Sequence, residues 1–64
     1  MIKNKEYLDN LIRGHIEDYN DIDKAINDIG HSRDVFKTIG LEYSSLKDVG
    51  ILVMYIKEKY YEKW

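Results

Sequence analysis

From Tyr7 to Ile29 an apolar side chain recurs at every third or fourth position: Leu8, Leu11, Ile12, Ile16, Tyr19, Ile22, Ile26 and Ile29. Wound at 3.6 residues per turn, these positions fall within an arc of roughly 140°, with His15 among them. The pattern predicts an amphipathic helix from about Asn4 to Ile29, with Asn4 as its N-cap and Glu6 near the positive end of the helix dipole. Asp18-Tyr19-Asn20-Asp21 is the stretch that resists, because Asn and Asp compete with helical hydrogen bonding and favour caps and turns. A turn ordinarily resets the apolar phase, and here the phase carries through. The expectation is one continuous helix, about 39 Å long at 1.5 Å per residue, with a break near Asn20 as the alternative.

Proline is absent, so glycine supplies the punctuation. Gly30 and Gly40 each follow an isoleucine that closes a helical run. Both read as residues just past a helix end, where the left-handed backbone favours glycine. Leu41 is placed to fold back on Phe36. A second, short helix then starts from Ser32 as N-cap and covers Arg33 to Ile39, with Val35, Phe36 and Ile39 inward. The third opens at Ser44-Ser45, where Ser45-Leu46-Lys47-Asp48 resembles a capping box with Asp in place of Glu, and runs to the C-terminus. The β-branched run Ile51 to Ile56 has strand propensity, but a lone strand has nothing to pair with, so the preceding cap and the Lys/Glu-rich extension favour helix. The predicted fold is therefore all-α and a single domain over residues 1–64. It is a small helical hairpin or three-helix module in which a long helix, a short helix and a long helix follow one another, the last packed back antiparallel.

Size sharpens this picture. A chain of 64 residues buries only about 60% of its unfolded surface, so its stability margin is thin and a staple is the usual remedy. With no cysteine, disulfides and thiolate metal sites are excluded, and two histidines sixteen residues apart give no metal site. A partner chain is the staple left over. Ten basic against twelve acidic residues create no broad positive field for nucleic acid and no dense acidic stripe that would imitate it. The N-terminus lacks the apolar run of a signal peptide, and Ile51 to Ile56 falls far short of the ~20 residues that span a bilayer. A cytoplasmic protein without membrane contact is the expectation.

Catalytic and cofactor signatures are missing, so neither an enzyme nor a bound cofactor or metal is expected. His15-Ile16-Glu17 lacks the three- or four-residue spacing that sets two ligands on one helical face. Placing Asp18 at position 1 of a calcium loop puts Ile22 at position 5 and Asp23 where glycine is required at position 6. Ser44 and Ser45 precede a helix and cap it, with no glycine-flanked elbow around them.

The last helix carries the main functional expectation. Leu46, Val49, Leu52, Val53, Ile56, Tyr60 and Trp64 share one face, enough to cover the first helix. Ile51, Met54 and Tyr61 point elsewhere, with Tyr55 beyond them on the same outer side. A chain this small has no second layer to bury that set, and such exposed apolar patches mark association surfaces. Ile51, Met54, Tyr55, Tyr61 and Trp64 are therefore the predicted protein interface. The expected function is non-catalytic: a small regulator or inhibitor, of the kind phages and mobile elements carry, docking on a protein partner or on its own copy as a homodimer. The alternative is a helix-turn-helix DNA-binding regulator over residues 22–39. There Ala25, Ile26, Ile29, Gly30, Phe36 and Ile39 occupy the apolar and turn positions, and Arg33, Lys37 and Thr38 face a groove. Asp34 in the reading helix and Asp21, Asp23 and Asp28 before it oppose phosphate binding.

Overall fold

The computed structural model describes residues 2–61. Among them are four helices and no strand: α1 (Lys5–Tyr19), α2 (Ile22–Gly30), α3 (Arg33–Thr38) and α4 (Leu46–Tyr60). The all-α module is as the periodicity predicts, but the expected continuous first helix is broken at Asn20. That residue takes φ 52°, ψ 39°, a left-handed conformation that Asn tolerates better than most non-glycine residues, and its N–H donates to the Ile16 carbonyl at 2.7 Å. Asp21 is extended and starts the next helix, its carboxylate accepting from the Lys24 N–H at 3.2 Å.

The chain thus doubles back. The Lys24 ammonium lies 4.8 Å from the centre of the Tyr19 ring, and His15 Nε2 lies 3.8 Å from the Asp28 carboxylate, so α1 and α2 run antiparallel as a hairpin. The continuous apolar phase is satisfied without a continuous axis, because a periodic stripe specifies which side is buried and not whether the helix goes on. A straight helix of the predicted length would also exceed the molecule, whose longest extent is 27 Å.

Gly30 differs from its expected role. It is the last helical residue of α2, and the turn is made beyond it by His31 at φ −103°. His31 N–H donates to the Asp28 carbonyl at 3.4 Å and Ser32 N–H to that of Ile29 at 3.1 Å. These tight three-residue bonds need no positive φ. Ser32 then caps α3 by accepting from Val35 N–H at 3.3 Å.

Gly40 does what its position predicts. At φ 79° its N–H reaches the Lys37 carbonyl at 3.3 Å, while Leu41 N–H reaches that of Phe36 at 2.9 Å, the paired bonds of a Schellman stop. Leu41 is buried beside Phe36 in the core. A Cβ at Gly40 would sit 3.0 Å from the Lys3 side chain in a backbone conformation unfavourable to L-residues. Gly40→Ala is expected to cost about 1–2 kcal/mol, read as a fall in the midpoint of urea unfolding at unchanged slope. An unchanged midpoint would contradict the left-handed stop.

Two other caps depart from their sequence reading. Asn4 precedes α1 with φ 54°, and its side chain makes no cap bond. Instead its Nδ2 donates to the Thr38 carbonyl at 2.7 Å, beside a Lys3 N–H bond to the Ile39 carbonyl at 2.7 Å, so the N-terminal residues satisfy the end of α3. Ser45 caps α4 by accepting from Asp48 N–H at 3.3 Å, but the box is not reciprocal: the Asp48 carboxylate takes the Glu42 N–H at 2.7 Å.

α4 closes the hairpin. Ile2 and Lys5 border Ile51 and Met54, while Asp9 meets Tyr55, Lys59 and Tyr60, so α4 follows the direction of α1. Against α2 it is antiparallel, since Asp23 meets Tyr61 while Gly30 borders Val49 and Val53. The core takes Leu8 and Ile12 from α1, Ile22, Ala25 and Ile29 from α2, Val35 and Phe36 from α3, Ile39 and Leu41 after it, and Leu52 and Ile56 from α4. No polar side chain is buried among the described residues. Leu46, grouped by periodicity with the core-facing residues of α4, is instead 90% exposed. It is the first helical residue, and packing against the core begins a turn later at Val49.

Candidate protein-docking face

α4 is two-sided. Leu52 and Ile56 point into the core, and Val49, Tyr60 and, from the flank that meets α1, the half-buried Ile51 and Tyr55 pack against it. On the opposite side Lys47, Ile51, Met54 and Glu58 fall within an arc of roughly 60° at 100° per residue, with Gly50 on one flank and Tyr55 on the other. Met54 is 60% exposed on this face. Ile51, Met54 and Tyr55 line a shallow, mainly apolar groove of about 390 Å³ together with Ile2, Lys5 and Glu58.

Three of the residues predicted for the interface thus share one groove. Tyr61, 46% exposed, lies just past the end of α4 and away from this groove, bordering Asn20, Asp21, Ile22 and Asp23, and its hydroxyl donates to Asp23 Oδ1 at 2.9 Å. That bond, helped by the charges of Asp23 and Asp21, raises the Tyr61 hydroxyl above its usual range. Trp64 lies outside the described residues. Ile2 and Lys5 were invisible to sequence reasoning as site residues: Ile2 is a single apolar residue ahead of the first helix, with no periodicity to assign it a side.

The flank of the groove is held by a polar cluster. The Asp9 carboxylate accepts from Tyr55 Oη at 2.7 Å, Lys59 Nζ at 2.7 Å and Tyr60 Oη at 3.4 Å, tying α1 to α4. Burial opposes ionisation of Asp9, but the bonds from Lys59, Tyr55 and Tyr60 and the Lys59 charge outweigh it and hold the carboxyl below its ordinary value. Burial, followed by the bond to Asp9, raises the Tyr55 hydroxyl, and burial with the Asp9 charge raises that of Tyr60. Lys59 is raised chiefly by its hydrogen bond to Asp9. The cluster positions Tyr55 against the groove.

The residues of the DNA-reading alternative are placed differently. α2 and α3 do form a corner, joined by His31 and Ser32. Arg33 and Lys37 border a depression with Phe36, Leu41 and Tyr43, and the Arg33 guanidinium lies 5.2 Å from the centre of the Tyr43 ring. Thr38 is separate from them, its hydroxyl donating to its own helix at the Asp34 carbonyl at 2.8 Å. With six residues, α3 is about 9 Å long.

His15 is half-buried, its Nδ1 3.2 Å from the Leu11 carbonyl and its ring 5.9 Å from that of Tyr19, a boundary histidine on the hairpin. Among the described residues, no group of three or more His, Cys, Asp or Glu could hold a metal ion. No helix among them is long and apolar enough to cross a membrane. Searches against protein-family models, curated proteins and solved structures returned no match to this chain.

Proposed function

We propose that this chain is a non-catalytic, cytoplasmic interaction protein, a regulator or inhibitor that works by docking the outer face of α4 on a protein surface. One observation carries the reading: the core closes over Leu52 and Ile56 while Met54, at 60% exposure, stands in an apolar groove on the other side of the same helix. Contiguous apolar surface of that kind is costly to leave in water, and Met and Tyr are favoured where such surface meets a partner. Covering a large apolar side chain that starts exposed contributes about 1.5–3 kcal/mol; Ile51 and Tyr55 are already half-buried against the core, so Met54 has the most to gain from a partner and they add the remainder of their exposed surface.

Met54→Asp tests it. Met54 is outside the core, so the variant keeps its helical circular dichroism, while its affinity for any docked protein falls by at least about tenfold. The measurement is capture from a host lysate on immobilised parent and variant chains, with mass spectrometry of what each retains. A set retained equally by both overturns the reading.

The second reading, recognition of a DNA groove by residues 22–39, has one observation in its favour: the α2–α3 corner brings Arg33 and Lys37 to the same depression. The exposed Asp34 on α3, Asp23 on α2 and Asp21 at the N-cap of α2 weigh against it, since phosphate neutralisation supplies most of such affinity.

A further inference from the structure

The outer face of α4 has an order that says what fits it. Its seam reads Lys47, Ile51, Met54, Glu58, with spacings of four, three and four residues. These are the spacings at which one helix meets another in a coiled coil. The sequence of characters is cationic, apolar, apolar, anionic, so it reverses in charge about its midpoint between Leu52 and Val53. We infer that the occupant of this face is a second copy of the chain, its α4 laid antiparallel across a two-fold axis at that midpoint. Each Lys47 then meets the partner's Glu58, and each Ile51 meets the partner's Met54.

This inference rests on the docking reading above and names the partner for it. A two-fold interface must be complementary to itself, and a seam whose charge inverts end to end meets that requirement only when antiparallel. In a parallel pair Lys47 would oppose Lys47 and Glu58 would oppose Glu58, which is repulsive at both ends. Lys47 and Glu58 are exposed, and no ion pair engages either among the described residues. Gly50, beside the seam, has no atom within 4 Å of where a Cβ would stand, which leaves room for a close helix approach. One face of a 15-residue helix offers less than the roughly 1,200–2,000 Å² of a standard interface, so the pair is a weak, concentration-dependent dimer.

Sedimentation equilibrium of the full chain across micromolar to millimolar concentration is the test. The parent is expected to shift from monomer to dimer. Lys47→Glu weakens the dimer by at least about tenfold, and adding Glu58→Lys to the same chain restores it, since both pairs are then re-formed in reverse. Both positions are exposed, so the variants keep the parent's circular dichroism. Orientation is read separately. The chain has no cysteine, so Lys47→Cys mixed with Glu58→Cys gives a mixed disulfide, whereas Lys47→Cys alone gives none. A parent that stays monomeric, a dimer indifferent to Lys47→Glu, or cross-linking of Lys47→Cys with itself each overturns the inference. If the parent stays monomeric while lysate capture still depends on Met54, the second copy fails and the docking reading stands. If nothing depends on Met54, both fail.

Discussion

Phe36→Ala is expected to destabilise the fold by about 3–5 kcal/mol, the largest effect of any single truncation in this chain. Phe36 is the bulkiest fully buried side chain. Its ring meets that of Tyr43 edge-on at 5.3 Å between centroids, an arrangement favourable beyond its area alone. It also sits where α3 turns into the Schellman stop, with Leu41 buried beside it, so the cavity would have rigid walls. A chain of this size starts from the low end of the usual 5–15 kcal/mol range. The melting temperature should fall by at least about 12 °C, since 1 kcal/mol is worth about 4–8 °C in a small domain. Thermal circular dichroism at 222 nm measures it. A fall of only a few degrees would mean that α3 is not packed as described.

Asp9→Ala comes next, with an expected loss of about 1–3 kcal/mol. The variant leaves the hydroxyls of Tyr55 and Tyr60 without their acceptor and releases Lys59 from α1. The same cluster sets a pH dependence whose sign follows from its shifts. The Asp9 carboxyl is lowered in the folded state, so its contribution is complete above the ordinary carboxyl value near 4 and is lost as pH falls through the lower folded value. The Tyr55, Tyr60 and Lys59 groups are raised, so their contributions are complete below about 10 and are lost as pH rises beyond that. Urea midpoints should therefore form a plateau between about pH 5 and 9, falling on both sides. In Asp9→Ala the acid-side fall should shrink. An acid limb identical in parent and variant would exclude Asp9 as its source.

Much of the fold is local and was therefore readable along the chain. Ser32 and Ser45 cap the helices they precede, and Gly40 stops α3 with its own φ and Leu41 behind it. The core faces of α1 and α2 follow the apolar periodicity. Asn20 shows where this ends: its composition favoured a turn while the phase favoured continuity, and the hairpin satisfies both. The choice depended on how much chain was available to cover the stripe, which no local window contains. Ile51, Met54 and Tyr55 were legible as a surplus of apolar residues on α4. Ile2 and Lys5 were not, because only the tertiary arrangement brings them to the groove. Asp9 was equally hidden: its partners Tyr55 and Tyr60 are 46 and 51 residues away.

An interior built wholly from hydrocarbon and aromatic side chains cannot by itself choose among helix arrangements of similar density. Oil fits oil in many ways. Here that choice falls to directional bonds at the rim: the amide of Asn4 on Thr38, and the carboxylates of Asp9 on α4 and Asp48 on the loop before it. Removing several of these together would leave a chain that is still helical and still collapsed, with its uniqueness lost before its compactness.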